Sequence, residues 1–126
     1  MLTIEVDFGS ARPVYRQIAE QVRGLIARGD LSDGAELPSV RQLAANVGVN
    51  LNTVAKAYRI LADEGLVDLR HGSRARVVGG ARARAPEVEG LERELGDVIS
   101  RLVLQGRGRE EVSAFFETAL ERFFER

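Results

Sequence analysis

The sequence predicts a mainly α-helical fold with one small β hairpin, followed by a separate helical tail, and three observations support this prediction. Two short segments of helical pattern, each with a capping signal, flank a glycine between residues 39 and 64. Two short valine-containing segments follow and flank a basic loop. The last third of the chain carries apolar residues at helical spacing. The first two observations together are typical of a winged helix-turn-helix.

The composition indicates an ordinary globular domain with a small appendage. The chain has 126 residues, of which 44% are hydrophobic and 29% are charged. Its longest apolar runs span only a few residues, so we expect no membrane-spanning helix, and its N-terminus lacks the pattern of a secretory signal. The absence of cysteine excludes disulfides and thiolate metal sites. These features favour a cytoplasmic protein.

The N-terminal segment predicts an extended arm and one helix. Ile4, Val6 and Phe8 alternate with polar residues, which is typical of a short strand or an extended arm. Apolar residues then recur at helical spacing, and they predict a first helix over residues 13–28. Gly29 supplies the C-terminal stop of that helix.

The helix-turn-helix is predicted from its capping residues. Ser39 and Gln42 form a capping box that begins a second helix over residues 39–46. Gly48 permits the sharp turn, and Asn50 is a good N-cap for a third helix that continues to about residue 64.

The wing is predicted from the pattern that follows the third helix. Residues 66–69 and 75–78 read as two short strands on either side of the loop 70–74, which is the predicted wing. The winged helix-turn-helix domain is therefore expected over residues 1–78. Residues 79–86, with two glycines and a proline, read as a linker.

The tail, residues 87–126, predicts an α-helical hairpin that dimerises. Its first helix carries apolar residues from Val88 to Leu102 at spacings of three, four, three and four, as in a coiled-coil seam, and its second helix is rich in phenylalanine. So small a unit cannot bury these groups alone, which favours pairing with a second copy; the alternative is that the pair folds back onto its own winged domain. The predicted dimerisation residues are Leu91, Leu95, Val98, Leu102, Phe116, Leu120 and Phe123.

Charge is distributed unevenly along the chain, although the net charge is only −1. Residues 39–85 contain eight Arg or Lys against three Asp or Glu, a balance of +5. Residues 86–126 contain six against ten, a balance of −4. The basic balance coincides with the predicted helix-turn-helix, which indicates a nucleic-acid partner.

No catalytic or metal-binding pattern is present in the sequence. His71 is the only histidine, so no multi-histidine metal site can form, and no phosphate-binding glycine loop has the required spacing. We therefore expect no enzymatic activity, no cofactor and no metal.

The predicted DNA-binding residues follow from their places in the helix-turn-helix and the wing. Base-edge contacts specify sequence, whereas phosphate contacts supply affinity. Arg41 suits guanine or a phosphate, Asn52 suits adenine, and Lys56 suits a phosphate. Leu51 or the Thr53 methyl group suits the thymine methyl. The complete predicted set is Ser39, Arg41, Asn50, Leu51, Asn52, Thr53, Lys56 and, in the wing at or beside the minor groove, Arg70, His71, Gly72 and Arg74.

These residues carry a resemblance to a known family. The segments Pro38–Ala44, Gly48–Val54, Ala57–Tyr58 and Leu61–Val67, with Pro13–Ile18, resemble the DNA-binding domain of bacterial GntR-family transcription regulators. The short two-helix tail is similar to the YtrA-type subfamily. The resemblance implies dimeric binding to an operator, with Arg41, Asn52 and Thr53 at DNA-contact positions and His71-Gly72 at the wing tip. It also allows an unknown small-molecule effector, for which no residue pattern here indicates a pocket.

The chain departs from the family pattern at the third helix and in the wing. Leu51 and Ala55 stand where many members carry arginine. Arg74 replaces a glycine, and Arg76 replaces an aromatic residue. The wing is therefore expected to carry more of the phosphate binding.

The sequence thus favours a dimeric, sequence-specific DNA-binding transcriptional regulator that acts as a repressor on a palindromic operator in double-stranded DNA. Two alternatives remain open. The first is a winged-helix module that binds protein, which a neutral and apolar third helix would favour. The second is a nonspecific architectural DNA binder, which would not distinguish a palindrome from random DNA.

Overall fold

The computed structural model describes residues 2–70, 74–78 and 88–124. Its elements are, in chain order, α1 (Val14–Arg28), α2 (Val40–Val47), α3 (Leu51–Asp63), β1 (Val67–Asp68), β2 (Arg76–Val77), α4 (Val88–Leu104) and α5 (Arg109–Phe124). They form two compact units, Met1–Arg84 and Ala85–Arg126. The predicted linker 79–86 and the predicted wing residues His71 and Gly72 lie outside the described residues.

The core of the first unit lies between α1 and α3. Three residues of α1 at helical spacing, Ile18, Ala19 and Val22, are almost completely buried. The buried face of α3 consists of Val54, Ala57, Tyr58 and Leu61. Burial of these apolar faces is the main stabilising contribution in this unit. It also fixes which face of α3 remains outside.

Tyr58 combines this apolar burial with a polar contact. Its ring is 2% exposed, and its hydroxyl donates a hydrogen bond of 2.7 Å to the carbonyl oxygen of Pro38. Pro38 precedes α2, so the bond holds the entry of α2 against α3. Burial raises the pKa of the Tyr58 phenol above its usual value.

We expect Tyr58→Phe to reduce the free energy of unfolding by about 0.5–1.5 kcal/mol at neutral pH, because the Pro38 carbonyl loses its donor. This difference should be constant below about pH 10, where Tyr58 is neutral in both the folded and the unfolded state. Above that pH only the unfolded tyrosine ionises, so wild-type stability decreases and the difference shrinks. Urea unfolding of both proteins between pH 7 and 11 measures this difference in the free energy of unfolding. A difference that stays constant over this range would contradict the burial of a neutral Tyr58 phenol.

The ends of the helices follow the predicted capping residues. The Ser39 side chain accepts a hydrogen bond from the amide of Gln42, and the Gln42 side chain accepts one from the amide of Ser39. The predicted capping box is therefore present. Gly48 ends α2 at φ +80°, a left-handed conformation that other residues rarely adopt. This glycine allows the direct turn from α2 into α3.

The wing begins from a small antiparallel sheet. Val67 pairs with Val77, and Asp68 pairs with Arg76. On the edge of β2 that faces away from β1, Glu36 forms an isolated antiparallel β-bridge with Arg76. The backbone amide of Leu37 donates a hydrogen bond to the carbonyl of Ala75. The two strands are shorter than predicted, but the segment before α2 adds a third line of pairing that fixes β2 in place.

The N-terminal arm is extended and is held by two glutamines of α1. The Gln17 and Gln21 side chains each exchange a pair of hydrogen bonds with one arm residue, Asp7 and Glu5 respectively. Each amide side chain therefore bonds to the backbone N–H and C=O of its partner, as a neighbouring strand would. The apolar side chains of Leu2, Ile4 and Val6 pack against the core.

The second unit consists of α4 and α5, which pack against each other through a turn at Gly106, where φ is +88°. Leu102 is buried, and Phe115 and Phe116 make an edge-to-face contact with centroids 5.5 Å apart. Most of the predicted dimerisation residues remain exposed: Leu91, Leu95, Val98, Leu120 and Phe123. Neither unit contains a described helix that is long and apolar enough to cross a bilayer.

Candidate nucleic-acid interface

The outer face of α3 is polar and lies opposite the buried face. Asn52, Lys56 and Arg59 are all exposed. Their spacing of four and three residues places them on one side of the helix, over two turns and about 10.5 Å. The face runs from the N-terminal turn, the part of a recognition helix that contacts base edges.

The N-terminal turn of α3 is held in a fixed conformation by Asn50. The Asn50 side-chain oxygen accepts a 2.7 Å hydrogen bond from the amide of Asn52. Because this oxygen caps the helix, Asn50 has a structural role whether or not it also contacts DNA. Leu51 has an apolar side chain that is nevertheless 41% exposed, and Thr53 is partly buried. Leu51 therefore offers an apolar contact next to the amide of Asn52.

Lys56 makes a contact within the first unit. Its ammonium lies 3.9 Å from the ring centroid of Tyr15, on the first turn of α1. This is a cation–π contact, and it directs the lysine toward α1. The predicted phosphate contact of Lys56 would therefore be made beside α1. Tyr15 is partly buried and packs against the core.

An open cleft of about 480 Å³ lies between α2, α3 and the start of the wing. It is hereafter called the α2–α3–wing cleft. Its lining residues are Ser39, Val40, Arg41, Leu51, Ala55, Tyr58, Arg59, Leu69, Arg74 and Ala75. Four predicted DNA-binding residues, from α2, α3 and the wing, thus come together around one opening.

Arg41 is exposed in the first turn of α2. Within residues 2–70, 74–78 and 88–124, no carboxylate lies at ion-pair distance from its guanidinium. All five N–H donors of the guanidinium are therefore available to a ligand.

The wing arginines differ from Arg41 because they are paired with acids. The Arg70 guanidinium makes two hydrogen bonds of 3.1 Å to the carboxylate of Asp68. These bonds and the negative charge of Asp68 raise the pKa of the Arg70 guanidinium. Arg70 must exchange this carboxylate for a phosphate if the phosphate is to bind the same Nε and Nη2 donors.

Glu36 pairs with two arginines across the small sheet. Its carboxylate lies 3.8 Å from the Arg74 guanidinium and is hydrogen bonded to Arg76. Glu36 and Arg76 are opposite each other in the bridge, so the strand pairing itself brings their charges together. A carboxylate and a phosphate oxygen use the same guanidinium donors. Glu36 therefore competes with DNA for these two arginines.

We expect Glu36→Gln to strengthen binding to every DNA sequence, by roughly 0.2–1 kcal/mol for each winged domain, which is the typical strength of an exposed ion pair. The plot of log affinity against log salt should become steeper, because Arg74 and Arg76 become free to neutralise phosphates. Fluorescence anisotropy at several salt concentrations measures both effects. The matched control is Glu121→Gln, which removes one negative charge from α5. Equal effects of both substitutions would mean that only the net charge matters.

The structure thus brings most of the predicted DNA-binding residues to the outer side of α3, the cleft and the start of the wing. Ser39, Arg41, Leu51 and Arg74 line the cleft, and Asn52 and Lys56 lie on the outer face of α3. Two further residues of this surface, Arg59 and Glu36, are outside the predicted set. Arg59 could have been found seven positions after Asn52, on the same helical face. Glu36 could not, because its pairing with Arg74 and Arg76 depends on the strand bridge.

Comparisons with known proteins identify the family of this chain. The family model for bacterial regulatory proteins of the gntR family matches residues 14–77. The HTH-type transcriptional repressor YtrA of Bacillus subtilis is 34% identical over 101 residues, which cover 80% of this chain and 76% of YtrA. A solved structure of YtrA from Sulfolobus acidocaldarius, a GntR-family transcription factor, is 38% identical with a TM-score of 0.60, covering 80% of this chain and 97% of that one.

A second solved structure supports the fold alone. A transcriptional antiterminator from Listeria monocytogenes EGD-e is 24% identical, with a TM-score of 0.84 over 100% of this chain and 94% of that one. The predicted fold class, a winged helix-turn-helix followed by two packed helices, is confirmed. Relatives of this chain include proteins of the YtrA type. This chain belongs to the GntR family of bacterial regulatory proteins: it is a transcriptional regulator that binds operator DNA through its winged helix-turn-helix, and it is not an enzyme.

Proposed function

We propose that this protein is a homodimeric repressor that acts in the cytoplasm and recognises an inverted-repeat operator. Each winged domain reads one half-site through the N-terminal turn of α3, and the tails join the two chains. The exposed apolar side chains of α4 and α5 carry this proposal. Repression is supported by the similarity to the YtrA repressor.

The tail supports a dimer because its own two helices bury so little. Leu91, Leu95 and Val98 are 52%, 46% and 39% exposed, although they follow a seam spacing along α4. On α5, Leu120 and Phe123 are 47% and 38% exposed. A two-fold interface between two such tails would remove these side chains from water on both chains at once.

The inverted repeat follows from the symmetry of such a dimer. A two-fold axis relates the two winged domains, so each reads the same sequence on opposite strands. Half-sites about 34 Å apart, one turn of the double helix, would place both α3 helices in the major groove on one side of the DNA.

Specific contacts are assigned to the exposed side chains described above. Asn52 is suited to the bidentate recognition of adenine, and Leu51 to a thymine methyl group. Arg41 is suited to a guanine or a phosphate at the edge of the half-site. The wing arginines supply phosphate contacts after they exchange their carboxylate partners. A small-molecule effector stays a prediction of the family resemblance.

The decisive experiment uses the region upstream of the gene, searched for an inverted repeat. Binding of the full chain to the repeat, to one half-site and to a shuffled sequence is measured by anisotropy at fixed salt, with the stoichiometry from sedimentation. We expect two chains per repeat, affinity at least about 10³-fold above that for shuffled DNA, and reduced transcription in vitro from a promoter that contains the repeat. Equal affinity for shuffled DNA would indicate an architectural binder. No binding to any DNA would indicate a protein-interaction module.

A further inference from the structure

We infer that the α2–α3–wing cleft binds one deoxyribose-phosphate unit of the DNA backbone, and that Arg59 is the residue that holds its phosphate. The inference rests on the operator binding proposed above and adds a binding residue to it. It concerns the third turn of α3, beyond the turn that meets base edges.

The position of Arg59 along α3 separates it from the base-reading residues. It lies seven residues after Asn52, about 10.5 Å along the helix axis. The N-terminal end of a recognition helix contacts base edges in the groove. A side chain two turns further along the same outer face is near the edge of the groove, where the backbone phosphates are.

The charges around the cleft favour an anion. Arg41 lines it from α2, Arg59 from α3 and Arg74 from the wing, and among the described residues only Arg74 has a carboxylate partner, Glu36. Neither Arg41 nor Arg59 has a carboxylate at ion-pair distance within the part of the chain that the structure describes. Arg41 and Arg59 are therefore two cations beside one opening without a counter-charge from any described residue, and a phosphate supplies that counter-charge.

The remaining lining fits a sugar next to that phosphate. Val40, Ala55 and Ala75 present apolar surface between the arginines, and Leu69 adds more. Carbon-bound hydrogens of deoxyribose can pack on such a surface, while the guanidinium fork of Arg59 makes two hydrogen bonds to the phosphate oxygens. The cleft volume of about 480 Å³ is within the usual range for small-ligand sites, about 300–1,000 Å³.

The contact predicts a specific salt dependence. Arg59→Ala should weaken binding to the operator and to random DNA by the same factor, because a phosphate carries no sequence information. The slope of log affinity against log salt should become shallower by about 0.9 for each winged domain, or about 1.8 for a dimer. Between 50 and 200 mM salt, wild-type affinity should therefore decrease roughly 12-fold more than that of the variant.

The phosphate itself can be located with neutral methylphosphonates, introduced one at a time along each half-site. One position should weaken wild-type binding and leave Arg59→Ala binding unchanged, which marks the phosphate that Arg59 contacts. Arg59→Lys, which keeps the charge and loses the fork, should retain the salt slope but bind less tightly. The matched control is Arg93→Ala, which removes an arginine from the tail helix α4 and should show neither effect.

The outcomes separate this inference from the proposed function. A wild type that does not distinguish the operator from shuffled DNA defeats the proposed function. A wild type that does distinguish them, with a folded Arg59→Ala variant of unchanged salt slope and unchanged methylphosphonate pattern, defeats the inference alone. Loss of sequence preference in that variant would also overturn it, because Arg59 would then read a base.

Discussion

The double variant Leu95→Asp with Leu120→Asp should be a monomer that binds a full inverted repeat hardly better than a half-site. Both side chains are nearly half exposed in the single chain, so the aspartates remain hydrated and the two helices stay folded. In a tail dimer the same aspartates would be buried without partners, at a cost of several kcal/mol for each charge. The interface should therefore not form.

The effect on DNA binding is large because a dimer makes its second contact intramolecularly. Tethering commonly raises affinity by about 10²–10⁴-fold, and the monomer should lose this gain. Sedimentation at micromolar concentration measures the assembly, and anisotropy with the full repeat and one half-site measures the tethering.

A matched control places the same charges elsewhere on the same helices. Ser100→Asp with Thr118→Asp adds two carboxylates to the sides of α4 and α5 opposite Leu95 and Leu120. This variant should remain a dimer. A wild type that is monomeric at micromolar concentration and still binds the palindrome tightly would refute the tail dimer.

Arg41→Ala should reduce the affinity for the operator by about 1–3 kcal/mol if Arg41 pairs with a guanine. The side chain is exposed and has no carboxylate partner among the described residues, so its removal should leave the free energy of unfolding unchanged. Arg41→Lys keeps the positive charge but loses the bidentate geometry. It should recover affinity only if the partner is a phosphate.

The operator provides the second half of this test. Each guanine of the half-site is replaced in turn, and binding is compared for wild type and Arg41→Ala. At the base that Arg41 contacts, the guanine replacement and Arg41→Ala together should reduce the binding affinity little more than either change alone, because both remove the same interaction. Unchanged operator affinity in the folded variant would exclude Arg41 from the interface.

The elements of the fold could be predicted because their signals are local. Ser39 with Gln42 is a capping box in sequence and in structure, and Gly48 has the left-handed conformation expected of a helix stop. The helix ends differ from the predictions by about one residue. The strands are two residues long where four were predicted, since only two pairs of residues lie opposite each other in the hairpin.

The parts that the sequence did not predict depend on residues far apart in the chain. Gln17 and Gln21 bond to arm residues ten and sixteen positions away, and Glu36 contacts an arginine forty positions away. Neither the glutamine–arm hydrogen bonds nor the Glu36 contact produces a periodic pattern in the sequence. Arg59 is different, because helical periodicity alone places it beside Asn52 and Lys56. It lies beyond the first turns of α3, to which the predicted residues of this helix are confined.

Gln17 and Gln21 hold the N-terminal arm through its backbone. The hydrogen bonds at Glu5 and Asp7 therefore do not depend on which side chain stands at these positions. Both glutamines recognise the peptide groups of Glu5 and Asp7, which every residue except proline can present in the same way. The polar contacts of the arm are thus determined by α1, whereas its apolar contacts are determined by Leu2, Ile4 and Val6 of the arm itself. Related chains could change the outward residues of the arm freely and still place it along the same helix, whereas a change at Gln17 or Gln21 would release a segment whose own sequence had not altered.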